Sequence, residues 1–220
     1  TIGSTLYFSM YAAGSGVELW KSDGTTGGTV LVTDLLPGSP SSFPTAFAEY
    51  NGRLAFIAQP SENDIFQLYL TDGTSAGTLL VHPDLFTLPG APIAVVGGRM
   101  VLLGGGAGFG PFGTIATDGT VVGTAKISET RFAESRIATY APAVVGAFAY
   151  FLSSSPSTGP ELWRTDGTAG GTQLVADLFL GSFGSAPQHL TAVGGALFFT
   201  ASDGLNGTEL WRLGLPATTP

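Results

Sequence analysis

Short runs that are apolar at nearly every position recur along the chain at a wide, regular spacing. They are Leu6–Tyr11, Leu54–Ala58, Met100–Leu103, Phe148–Leu152 and Leu197–Thr200. Runs of this length with no polar alternation predict strands covered on both faces. Four of the five are followed by a second extended segment of the type Glu-Leu-Trp, at 18–20, 67–69, 161–163 and 209–211. Then comes Asp-Gly-Thr, a Gly-Thr pair and a further strand: Thr29–Val32, Thr78–Val81, Thr124–Ile127 and Thr172–Val175. One more extended segment precedes the next apolar run: Thr45–Glu49, Pro92–Val96, Pro142–Val145 and Leu190–Val193.

The chain is thus one unit of four short strands written several times. The turn aspartates Asp23, Asp72, Asp118 and Asp166 are 49, 46 and 48 residues apart. The copies run 1–41, 42–90, 91–138, 139–186 and 187–214, with 215–220 as a tail, in a single repeat domain over 1–220. A fixed period of this size marks a repeat architecture. Four-stranded units of about this length suit the blades of a β-propeller. The prediction is therefore an all-β propeller of five blades, with a β-solenoid as the alternative. Strands of a membrane barrel need about 9–11 residues, longer than these. The chain opens on a second strand and closes on a third, so both end blades are incomplete. Their unpaired edges invite pairing with another chain or with the rest of a longer polypeptide.

Asp-Gly is a turn with a mechanism: the carboxylate bonds a backbone N–H two residues on, and glycine accepts a positive φ. The four turn aspartates are accordingly read as turn formers rather than nucleophiles or metal ligands. Trp20, Tyr69, Ile115, Trp163 and Trp211 are equivalent, and are expected to pack between neighbouring blades.

The segments Glu18–Pro44 and Glu161–Pro187 are identical at 17 of 27 positions, and both begin Glu-Leu-Trp-Lys/Arg-Ser/Thr-Asp-Gly-Thr. They resemble the ELWxxDGT repeat family of bacterial, often myxobacterial, secreted or cell-surface proteins. The likeness covers nearly the whole chain. It weakens in the second copy, where Gln67 and Tyr69 replace Glu and Trp, and in the third, where Gly113-Thr114-Ile115 stands in for Glu-Leu-Trp. The resemblance implies an extracellular or bacterial cell-surface location. It brings neither an activity nor catalytic residues.

Composition narrows the partners. There are 16 acidic against 8 basic residues, a net charge of −8, and only 11% charged residues. Nucleic acid, which needs clustered Lys and Arg, is excluded as a partner. No cysteine is present, so disulfides and thiolate metal sites are excluded. No apolar run is long enough to span a bilayer as a helix, and Thr1–Thr5 shows no signal peptide, as expected of a mature or excised piece. A protein or a glycan at the cell exterior is the expected partner.

In antiparallel blades the Asp-Gly-Thr turns share one face of the disc with the first-to-second turns. The second-to-third and fourth-to-first loops share the other face, which carries the variation: Ala12–Gly16, Gln59–Ile65, Gly105–Phe112, Ser153–Pro160 and Ser202–Gly207. Loops on a rigid frame are where function sits, so a non-enzymatic binding or adhesion module is expected. A multivalent carbohydrate-binding lectin and a glycan-acting hydrolase are the alternatives. Candidate ligand residues are Glu62, Asn63, Asp64, Asp203 and Asn206, as oxygen donors to a sugar or to Ca²⁺, and Phe109 and Phe112 as apolar contacts. Neither acidic run has the spacing of an EF-hand loop, so no metal site is assigned and calcium stays a possible ligand only. Asp34, Glu129 and Asp177, with Asp84 shifted by one, share an offset from the Gly-Thr pair and offer either turn caps or a carboxylate ring. His82 and His189, the only histidines, occupy different repeat positions, and no catalytic residue is assigned. Glu129–Ile137 is the one short helical candidate.

Overall fold

The computed structural model describes residues 1–62, 65–129 and 141–214. The helical candidate therefore lies almost wholly outside the described residues. Among these, all regular structure is extended, and no helix is long and apolar enough to cross a membrane.

Among the described residues, eighteen strands form five antiparallel sheets, each built from consecutive strands. The first holds β1 (Leu6–Ala12), β2 (Gly16–Ser22) and β3 (Val30–Thr33). The second holds β4 (Thr45–Tyr50), β5 (Arg53–Ala58), β6 (Gln67–Thr71) and β7 (Leu79–Leu80). The third holds β8 (Ala94–Val96), β9 (Arg99–Gly106), β10 (Gly110–Thr117) and β11 (Ala125–Ser128). The fourth holds β12 (Ala143–Val145), β13 (Phe148–Ser155), β14 (Gly159–Thr165) and β15 (Gln173–Ala176). The fifth holds β16 (Gln188–Val193), β17 (Ala196–Ser202) and β18 (Thr208–Gly214). The end sheets have three strands and the middle ones four, as the repeat count predicts.

Four apolar clusters lie between successive sheets. Leu19 and Val32 of the first sheet meet Leu54, Phe56 and Tyr69 of the second. Tyr50, Ile57 and Leu68 of the second meet Met100, Leu102 and Ile115 of the third. Val96, Val101 and Ala116 of the third meet Ala149 of the fourth. Tyr150 and Leu162 of the fourth meet Leu197, Phe199 and Trp211 of the fifth. The alternation of side chains along a strand explains the pattern. At Glu-Leu-Trp the leucine faces the next sheet and the aromatic faces the previous one. That is why these strands are apolar on both faces.

The Asp-Gly-Thr turns are built identically. In the first, the Thr25 N–H and hydroxyl both donate to Asp23 Oδ1, at 2.9 and 2.7 Å. The Gly28 N–H donates to Thr25 Oγ1, and the Thr29 hydroxyl closes on the Thr25 carbonyl. The same bonds recur around Asp72, Asp118 and Asp166. Gly24, Gly73, Gly119 and Gly167 have φ near +90° (92°, 91°, 88° and 89°). The later glycine serves a different purpose: a Cβ on Gly28 would lie 2.0 Å from Asp23 Oδ1, and Gly77, Gly123 and Gly171 are as tightly placed.

The turns at Asp72 and Asp118 also dock on the preceding sheet. Lys21 Nζ donates to the Gly73 carbonyl at 2.8 Å. The Tyr50 hydroxyl lies 2.8 Å from the Gly98 carbonyl and 3.1 Å from that of Asp118. These bonds place the Asp-Gly turns and the first-to-second turns on one face.

One expectation is corrected. The glycine-rich stretch Gly105–Phe112 is not an open loop. β9 runs on to Gly106 and β10 starts at Gly110, with Gly106 paired to Gly110. Gly105 also exchanges two backbone bonds with Phe86, at 2.8 and 2.9 Å. Glycine has no side chain to obstruct this close approach, so drift in sequence here lengthens a hairpin.

Candidate functional site

The variable face is organised by a clamp. Glu18 is completely buried at the start of β2. Its carboxylate accepts the Ser42 N–H at 2.8 Å, the Ser42 hydroxyl at 2.5 Å and the Leu35 N–H at 3.2 Å. Glu161, equally buried, accepts the Ser185 N–H at 2.8 Å, the Ser185 hydroxyl, and the Phe179 N–H at 3.3 Å. Burial pushes the Glu18 carboxyl above its ordinary range, against the pull of the Ser42 and Leu35 bonds, and Asp34 adds to the upward push. Burying the carboxylate is compensated by directed N–H and O–H donors.

What the clamp holds is strained backbone. Phe43 and Ala186, each between a clamped serine and a proline, have φ of 49° and 47°. Ala46 and His189 repeat the strain three residues further on, at 54° and 56°, inside matching bulges of β4 and β16. Non-glycine residues stay in this region only where surrounding contacts impose it. The loops also fold tightly over the β1–β2 and β13–β14 hairpins. A Cβ on Gly16 would sit 2.0 Å from the Pro40 carbonyl oxygen, and one on Gly159 2.5 Å from that of Ser182. The result is a pair of rigid arches presenting apolar side chains to solvent: Phe43 and Phe47 on one, Leu180 and Phe183 on the other.

The second arch meets the Asp203 turn. Asp203 Oδ1 accepts the N–H groups of Leu205 and Asn206, at 2.9 and 2.8 Å, and Oδ2 accepts Asn206 Nδ2 at 2.8 Å. These bonds, first that from the Asn206 N–H, hold the Asp203 carboxyl below its ordinary range. Gly204 lies against the Phe179 ring, which stacks on Phe183 with centroids 5.7 Å apart. The structure therefore sets the Asp203–Asn206 turn, through Gly204, against Phe179 of a stacked aromatic pair.

Phe109 and Phe112 are half-buried. Phe109 meets His82 edge to face at 5.0 Å and packs against the core between the second and third sheets. Lys126 Nζ donates to the Phe109 and Pro111 carbonyls, at 3.3 and 2.8 Å, and pairs with exposed Glu129 at 2.5 Å. Phe109 is thus held by core packing on one side and by Lys126 on its own carbonyl. Glu62 is exposed and remote in sequence from both arches, while Asn63 and Asp64 lie outside the described residues.

Asp34 and Asp177 each keep one buried oxygen, Oδ1, without a hydrogen-bond partner. Among the described residues, no three His, Asp or Glu side chains gather as a metal-binding set. Reading the sequence missed Ser42, Ser185, Phe179 and Phe183. The signal was present in the Ser-x-Pro triplet at both 42–44 and 185–187, the same distance from its glutamate.

No protein-family model matches the chain, and a search of curated proteins returns no match. Solved structures do match. A Mycobacterium tuberculosis puromycin-hydrolyzing peptidase is similar over 90% of this chain and 32% of its own, at 16% identity and a TM-score of 0.52. A puromycin hydrolase S511A mutant complexed with PGG is similar over the same shares, at 16% identity and a TM-score of 0.54. A GH43 endo-arabinanase from Bacillus licheniformis superposes over 97% of this chain and 90% of its own, at 15% identity and a TM-score of 0.35. The chain spans about a third of the length of the two peptidases, and what it shares with them is the all-β fold of that portion.

Proposed function

We propose that the five sheets are blades of a β-propeller and that the chain is a non-enzymatic binding module, working through the arch face at the bacterial cell exterior. The observation that carries this reading is where the carboxylates are spent. Asp23, Asp72, Asp118 and Asp166 are each bonded within a turn. Glu18 and Glu161 are consumed by serines, and Asp203 by its own turn. These acids serve architecture, while the strained arches hold exposed aromatic groups that cost little entropy to order on binding. The resemblance to secreted ELWxxDGT repeat proteins supports the location.

Carbohydrate is the second reading. The Phe179–Phe183 stack beside Asp203 and Asn206 favours it, because apolar sugar faces lie on aromatic rings while hydroxyls take polar groups. This pair occurs on one arch, which argues for one such site and not one per blade. A glycan-acting hydrolase remains the alternative enzyme.

The test displays the purified chain to a glycan array and to a panel of extracellular proteins. Saturable binding that drops in Phe43→Ser or Phe183→Ser, with melting unchanged, supports the proposal. Turnover of a glycan or an aryl-amide substrate, abolished by Asp203→Asn, would replace it with an enzyme.

A further inference from the structure

The two faces differ in charge as well as in shape. At the turn face, the four turn aspartates and Glu49 are matched by five bases: Lys21, Arg53, Arg99, Arg164 and Arg212. These charges offset one another and bind the frame. Lys21 Nζ donates to the Gly73 carbonyl at 2.8 Å, and Arg53 Nη2 to the Gly77 carbonyl at 2.9 Å. Arg53, Arg99 and Arg164 lie close enough to Asp72, Asp118 and Asp166 to attract them electrostatically.

The arch face has no such balance. Among the described residues, nine acids lie at that end of the strands against one base, Lys126. Glu18 and Glu161 are the buried clamps. Asp34 and Asp177, which follow β3 and β15, each keep a buried oxygen that meets no donor. Asp203 and Glu209 belong to the β17–β18 hairpin. Glu62, Asp84 and Glu129 are exposed. A Cβ on Gly106 would lie 2.0 Å from the Asp84 carbonyl oxygen, which seats Asp84 on the β9–β10 hairpin. Lys126 is already engaged by Glu129 and by two carbonyls. Setting the first and fifth sheets aside leaves the imbalance in place, with Glu62, Asp84, Glu129, Glu161 and Asp177 against Lys126 alone. Of the charged residues outside the described ones, two are acidic and two basic, so the formal net charge of −8 is that of the arch face.

We infer that the partner of the arch face is a basic polypeptide, which lays Lys and Arg side chains against the exposed apolar groups of the arches. This rests on the reading of the arch face as the binding surface, and adds the chemistry of the partner. A surface that is acidic and apolar at once suits long cationic side chains. Their alkyl stems cover apolar groups such as Leu180, and their charged heads lie over rings such as Phe43 and Phe183. The exposed apolar groups recur on two arches carried by different sheets, a spacing that a polypeptide can bridge and a small cation cannot. Charge gathered at one end of the molecule also acts before contact. It draws a cationic chain toward the arch face over a range set by the Debye length, about 10 Å at 0.1 M salt. The balanced turn face exerts no such pull, and an anionic partner is repelled from the arches.

Fluorescence anisotropy with labelled deca-arginine, and with deca-glutamate as its counterpart, tests this at low and high salt. Deca-arginine is expected to bind saturably and to weaken as salt is added, while deca-glutamate stays free. Any acidic protein attracts an arginine chain, so two variants of equal net charge separate the faces. Glu62→Gln/Asp84→Asn/Glu129→Gln removes three negative charges from the arch face. Thr26→Lys/Ala76→Lys/Val122→Lys adds three positive charges to the turn face. All six positions are exposed, and both variants are expected to melt with the wild type. The first is expected to bind deca-arginine roughly tenfold more weakly, and the second nearly as the wild type does. Equal losses in the two variants overturn the inference, as does binding of deca-glutamate. Suppose deca-arginine does not bind, yet extracellular proteins still bind through Phe43 or Phe183. The inference then falls while the arch face stands as a binding surface. If neither binds, both fall.

Discussion

Glu18 accepts both the backbone N–H and the hydroxyl of Ser42, at 2.8 and 2.5 Å across 24 residues, and Glu161 does the same for Ser185. A buried carboxylate has been matched to donors that would otherwise be orphaned under an arch. The glutamate of Glu-Leu-Trp is thereby explained as the clamp that ties the fourth-to-first loop to the third strand.

Removing the clamp strands its donors. Glu18→Ala leaves the Ser42 N–H, the Ser42 hydroxyl and the Leu35 N–H without their acceptor, and should cost about 3 kcal/mol of folding stability. Ser42→Ala, which keeps the backbone bond, should cost only about 1 kcal/mol. Urea unfolding of both variants measures the two. Equal losses would show that the hydroxyl, not the paired donors, dominates.

The turn makes a non-additive prediction. Gly28→Ala drives a methyl group into the Asp23 carboxylate and should destabilise by about 2 kcal/mol. Part of that loss should disappear in Asp23→Ala/Gly28→Ala, where the colliding group is gone, so the double-mutant cycle should show coupling. Strict additivity would mean that Gly28 is required for another reason.

Two classes of carboxyl give the pH profile opposite slopes. Asp23, Asp72, Asp118 and Asp166 are held below the ordinary 3.8, first by the threonine hydroxyl. A depressed folded-state value stabilises above the unfolded value, and that stability is lost as pH falls through the folded one. Glu18 is raised above 4.5, so ionising it costs stability, and the cost is relieved as pH falls through its raised value. The melting temperature should therefore rise slightly on mild acidification and drop once pH passes below 3.8. Glu18→Gln should erase the rise and keep the drop; a monotonic wild-type curve would contradict this account.

Calcium should have no effect on melting. Both carboxylate oxygens of Asp203 already face N–H donors, whose positive ends repel a cation. Thermal melts with calcium and with chelator should coincide. A shifted midpoint would mean that the turn reorganises around the ion.

The strand count, the Asp-Gly-Thr turns and the packing of the aromatic position between sheets were legible in the sequence. Periodicity and turn chemistry are local, and each copy restates them. The incomplete end sheets were legible for the same reason, since they follow from counting strands. The candidate site was legible only in part. Asp203 and Asn206 stood out as a polar turn, but their neighbours Phe179 and Phe183 arrive from a loop of the preceding repeat. Phe109 read as an apolar contact, and nothing in its own segment announces its neighbours His82 and Lys126.

The sequence by itself determined the unit, its period and the residues that must turn, because these depend on neighbours within a few positions. Only the tertiary structure decided which glutamate meets which serine and which phenylalanines are left in solvent. Those depend on burial, and burial is settled by segments that approach from elsewhere in the chain.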